Sequence, residues 1–139
     1  MRVLRSVLGV AIGATMLSNV AGAGDGQWAY DWYVETKRAA KYARIAITGT
    51  ADLARLDQEQ AAAEKQLRAS AQLRLPDRDK AVCIAAAKAV VDFIAAAKAG
   101  NMDGGPASYE RQQTRWDVLS VDCIKPIRQL ANAEEASRP

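Results

Sequence analysis

The chain has 139 residues, half of them hydrophobic, with 19 Lys and Arg against 16 Asp and Glu, a formal charge of +3 and no histidine. That length supports one small domain with one modest core. The missing histidine excludes Ser-His-Asp and Cys-His mechanisms and histidine-ligated zinc or haem.

Residues 1–23 read as a secretory signal peptide. Arg2 and Arg5 supply a positive start, Val7 to Leu17 a short apolar stretch, and Ala21-Gly22-Ala23 a small-residue cleavage site before Gly24. The apolar stretch, interrupted by Gly9 and Gly13, falls short of the roughly 20 residues that span a bilayer. No cysteine follows it, which argues against a lipoprotein anchor, so the membrane enters only through the transient signal peptide. Removing Arg2 and Arg5 leaves 17 basic against 16 acidic side chains, a net of +1. Nucleic acid is therefore not an expected partner, since a phosphate-binding surface needs clustered positive charge. The expected location is periplasmic or secreted.

Beyond the cleavage site, residues 24–131 are expected to form a single helical domain. A first helix is predicted from about Trp28 to Ile47. Trp28, Trp32, Ala39, Tyr42 and Ala46 lie along one side, with Tyr33, Ala40, Ala43 and Ile47 beside them. Thr48-Gly49-Thr50 marks a break, with Thr50 as cap and Asp52 in the first turn of the second helix. A helix continuous through Gly49 is the alternative, at a cost of about 1 kcal/mol relative to Ala. The second helix, Ala51 to about Ala71, shows a narrow seam of Leu53, Leu56, Gln60, Ala63 and Leu67, with Asp57, Glu59, Glu64, Lys65 and Arg68 on its outer face. Leu73 to Pro76 turns the chain.

The third helix begins near Asp77, a candidate cap, and runs to Ala99, stopped by Gly100-Asn101. It is apolar over most of its circumference, as expected of the centre of a bundle. After NMDGGPA, Pro106 or Ser108 opens the fourth helix, which Pro126 either kinks or ends. Residues 132–139 are polar and expected to be disordered. Folding the last two helices antiparallel about residue 103 brings together positions whose numbers sum to about 206. Cys83 then faces Cys123, Val90 faces Trp116 and Ala97 faces Tyr109, with both cysteines on the apolar stripes. In an oxidising compartment this pair is expected to form a disulfide, closing a loop of about 40 residues for roughly 4 kcal/mol. The predicted fold is all-α, an antiparallel four-helix bundle with one inter-helix disulfide, reduced to three helices if the first two are continuous.

For chemistry, the residues offer little. Without C-x-x-C spacing or histidine, the cysteines suit neither a redox pair nor a metal. The DGGP turn lacks the lysine and strand–helix setting of a phosphate loop. No cofactor, metal or catalytic residue is expected. Asp92 and Glu35 are the carboxylates in the most apolar surroundings, and a glycan-cleaving enzyme would need two such groups across one cleft. Asp92 is better explained by an i,i+4 pair with Lys88. Trp28, Tyr30, Trp32 and Tyr33 place four of the eight aromatics within six residues, in too many directions for one surface to bury. Either Trp28 and Trp32 dock into the alanine grooves of helix three while the tyrosines cover the edge with their hydroxyls wet, or, since Trp and Tyr dominate interface hot spots, these four are candidate partner-binding residues. Thr114, Val118 and Val121 lie opposite the Trp116–Cys123 stripe, where they either pack on a neighbouring helix or, for the two valines, form a second binding surface. The expected function is non-enzymatic binding of another macromolecule, most simply a protein, as an inhibitor, immunity protein, chaperone or envelope adaptor; a second copy of the chain is a further candidate partner. The alternative is a small apolar-ligand carrier with a pocket between helices one, three and four, lined by Trp32, Val90 and Trp116.

Overall fold

A computed structural model describes residues 24–49 and 52–138. The proposed signal peptide and the expected cap Thr50 lie outside the described residues. Among the described residues there are four α-helices: α1 (Asp25–Thr48), α2 (Leu53–Ala69), α3 (Asp77–Lys98) and α4 (Tyr109–Ala136), with a 3-10 turn at Ser70–Gln72. The first two helices are therefore separate. Each neighbouring pair is antiparallel, because cross-links join the start of one helix to the end of the next. Trp32 Nε1 donates to the Gln66 carbonyl at 2.7 Å, tying the start of α1 to the end of α2. Lys98, at the end of α3, pairs with Asp57 near the start of α2. Arg44 pairs with Asp117 and Gly26 with Glu134, which aligns α1 with α4. The result is an up-down-up-down bundle in which α1 and α3 approach across the short diagonal.

Cys83 and Cys123 form the predicted disulfide, with Cα atoms 4.8 Å apart. Both are fully buried beside Val90, Phe93, Ile94 and Ile127. The α3–α4 register follows from that link, but Tyr109 meets Phe93 edge-on at 5.7 Å rather than standing over Ala97, one turn away. As its composition implied, α3 buries residues over most of its length. Alanines do the same for α1: Ala29, Ala39, Ala40, Ala43 and Ala46 are all buried, so the neighbouring helices can approach closely.

Several local expectations are corrected. Asp52 itself caps α2, its carboxylate accepting from the Arg55 N–H at 3.1 Å. Of the predicted seam of α2, Leu56 and Ala63 are buried and Leu67 packs on the core, but Glu59 is buried as well, Gln60 is only partly covered and Leu53 is left out. Leu53 is 58% exposed because the helix begins there, past the edge of the core. Glu59, expected outside, is only 7% exposed. It is held by Arg55 Nε at 2.8 Å, whose guanidinium lies 4.9 Å over the Tyr42 ring, so the carboxylate keeps its partner as it is covered. Asp77 is the first residue of α3 rather than its cap; extended Pro76 occupies that position, leaving Asp77 and Asp79 beside the positive end of the helix dipole. Gly100, at φ +76°, ends α3 with the paired bonds from Gly100 N to Ala97 O and Asn101 N to Ala96 O. Of the two candidate openings for α4, Ser108 is the cap, accepting from the Arg111 N–H.

Pro126 does not end α4, which continues to Ala136. The segment expected to be disordered from Asn132 is thus helical for another turn and more. Its anchor is Glu134, whose two carboxylate oxygens accept from the Gly26 N–H at 3.0 and 2.9 Å. Gly26 is required for that approach, since a Cβ there would stand 2.7 Å from the Ala131 backbone.

Candidate functional site

The four clustered aromatics are distributed by the helical turn into three environments. Trp32 points into the core and satisfies its indole N–H on Gln66, so it is not a surface anchor. Tyr33 is half-buried and stacks on Trp116 of α4, ring centres 6.3 Å apart. Burial pushes its phenol pKa above the ordinary value, while a hydrogen bond with Ser120 and the Arg128 charge pull it the other way. Trp28 and Tyr30 remain exposed, each at 39%.

Trp28 stands at the lip of a cleft of about 790 Å³ at one end of the bundle, between the start of α1, the 3-10 turn and the start of α3. Asp25, Gln27 and Asp31 of α1 line one side, and Gln72, Leu73, Arg74 and Lys80 the other. These side chains already orient one another. Arg74 Nε is 3.7 Å from Asp25 Oδ1, Gln27 Nε2 donates to Asp31 Oδ1 at 2.9 Å, and Lys80 Nζ donates to the Ala71 carbonyl at 2.8 Å. The expected signal for this cleft was Trp28 alone; its opposite wall comes from residues more than forty positions away, which local patterning could not attach to it. A smaller cleft of about 440 Å³ lies at the other end, among Tyr42, Ile45, Gly49, Asp52 and Arg55.

Val118 and Val121 are 60% and 54% exposed, and Thr114 is exposed as well, so this strip does not pack on a neighbouring helix. On the same helix Asp117, one turn before Val121, pairs with Arg44, and Arg128, two turns after, acts on Tyr33. Val121 therefore lies along the border with α1, and Val118 faces outward from it. Arg111, Arg115 and Arg128 are exposed on this helix with no carboxylate within ion-pair reach among the described residues, as are Lys37 and Lys41 on α1. Tyr109, at the far end of the α1–α4 seam, has its pKa raised chiefly by burial, with Arg44 lowering it and Asp117 raising it.

Neither suspected carboxylate lines a described cleft. Asp92 is paired with Lys88 at 2.9 Å and Glu35 with Arg38 at 2.8 Å, each within its own helix. Trp32, Val90 and Trp116, the expected lining of an apolar carrier, are packed together in the core cluster, and neither cleft includes them. No group of three metal-ligating side chains occurs, and no helix is long and apolar enough to cross a membrane, among the described residues. No family model, curated protein or solved structure matches the chain.

Proposed function

We propose that the protein is exported, processed before Gly24, and acts by binding another protein through the outward face of α1 and α4. The observation that carries this reading is the pair Val118 and Val121, exposed together on a disulfide-stapled bundle, on a helix whose Arg111, Arg115 and Arg128 lack ion-pair partners among the described residues. Contact surfaces combine an apolar centre with a polar rim, and arginine is enriched there. Tyr30, exposed on the same helix pair, extends the face toward the start of α1. The buried disulfide agrees with an oxidising compartment.

The test is co-purification of the tagged chain from the envelope fraction of a native host. A protein recovered with the wild type and lost with Val118→Asp/Val121→Asp supports the reading. Equal recovery with both chains, or recovery of the chain alone, overturns it. N-terminal sequencing of the same material is expected to begin Gly-Asp-Gly; an intact Met1 would remove the export part.

A further inference from the structure

The cleft at Trp28 is separate from the valine face and unlike it in chemistry. Two carboxylates, Asp25 and Asp31, face two side-chain cations, Arg74 and Lys80, and processing before Gly24 would add the N-terminal amine at the same cleft, for a net of about +1. It has no enclosed apolar chamber, which disfavours a lipid or other wholly apolar ligand. The cleft's excess of about one charge is too small for a charged polymer, whose binding needs clustered charge of one sign. Its volume is within the range of about 300–1,000 Å³ found for small-ligand sites. What it does present is one exposed indole beside planar, multidentate polar groups: two carboxylates, two carboxamides and a guanidinium. Asp31 and Gln27 spend one hydrogen bond on each other and keep further capacity, as does Arg74.

That combination matches a pyranose ring. One face of such a ring carries C–H groups, which lie against the electron-rich face of an indole. Its rim carries hydroxyls that both donate and accept, as Asp, Gln and Arg side chains require. We infer that the cleft formed by Trp28, Asp31, Gln27, Asp25 and Arg74 is a binding site for a neutral oligosaccharide. Trp28 stacks on one sugar ring while the carboxylates and carboxamides take its hydroxyls. The site goes beyond the protein-binding face, and together the two would let the bundle hold a glycan strand and a protein at once.

The test is titration of the purified chain with three neutral probes, maltotetraose, cellotetraose and the tetramer of β-1,4-linked N-acetylglucosamine, read by calorimetry. At least one is expected to bind saturably with an affinity unchanged between low and about physiological salt, because a neutral ligand is not screened. Trp28→Ala is expected to weaken that binding at least about tenfold, as loss of a central aromatic contact does. Trp28→Phe is expected to recover part of it, and Asp31→Asn to weaken it while leaving the melting temperature in place. Binding of none of the three, or binding indifferent to Trp28→Ala, overturns the assignment. So does preference for a polyanionic glycan with steep salt dependence. Val118→Asp/Val121→Asp is expected to leave oligosaccharide binding intact, so failure at one site is distinguishable from failure at the other.

Discussion

Gly26 and Glu134 join the start of the first helix to the end of the last, and neither carries an obvious signal in the sequence. The glycine lets the α4 backbone approach until a Cβ would stand 2.7 Å from it, and the carboxylate then covers an N–H that the helix itself cannot satisfy. Gly26→Ala is expected to cost about 1–3 kcal/mol, as overpacking against backbone does, even though alanine favours the helix itself. Glu134→Gln should cost less, about 0.3–1 kcal/mol, since the amide still accepts a bond but loses its charge at the positive end of the dipole. Urea melts of the two variants check the order; equal effects would mean that the contact is not close. The two half-buried tyrosines give a pH prediction. Burial raises the phenol pKa of Tyr33 and Tyr109 in the folded state, so above about pH 10, the ordinary tyrosine value, the unfolded chain loses protons that the folded chain keeps. The tyrosine contribution to stability is therefore constant below that pH and falls as pH rises through the folded-state values. Phenolate absorbance in native protein should lag that of the urea-unfolded chain; superimposable titrations would contradict it.

Among the elements, α4 combines a well-formed cap at Ser108 with a proline in its interior. Pro126 has no N–H to give the carbonyl four residues back, and its ring crowds that turn. The helix survives because Cys123, Ile124 and Ile127 bury its inner face on both sides of the proline and Glu134 ties its far end to α1. Tertiary packing thus outweighs a local penalty of about 3 kcal/mol. Pro126→Ala is expected to stabilise the protein by up to that amount, read as a higher urea midpoint with an unchanged slope. Lower stability would show that the backbone geometry imposed by the proline is needed for α4 to reach both Cys83 and Gly26. On α2 the balance is different. Its cap, Asp52, and one buried leucine are supplemented by the Arg55–Glu59 pair and the Tyr42 ring, so its attachment to α1 is partly polar.

Across the whole molecule, the disulfide closes the α3–α4 hairpin over a separation of 40 residues, in a core made largely of alanine. Small side chains bury little area each, so the cross-link is a large share of the total stability. Replacing both cysteines by alanine is expected to cost about 2–5 kcal/mol, lowering the melting temperature by on the order of 10–20 °C. Because both sulfurs are fully buried, mild reductant is expected to leave the native protein oxidised until it unfolds. Rapid reduction of the folded chain, followed by thiol labelling, would show that the hairpin opens locally.

From the sequence by itself came everything governed by period and by strong local signals: the helical class, the four segments, the apolar α3, and the pairing of Cys83 with Cys123, because three- and four-residue spacing and a glycine turn constrain where two helices can meet. The tertiary structure alone decided which member of each amphipathic edge is covered. It buried Trp32 but exposed Trp28 four residues earlier, buried Glu59 but exposed Leu53, and left Val118 and Val121 in solvent. It also set Arg74 and Lys80 across from Trp28 and carried α4 on to Glu134. The physical reason is that helical periodicity specifies a residue's angle about its own axis, whereas burial depends on where the neighbouring helices end, and that is fixed only when all four are packed.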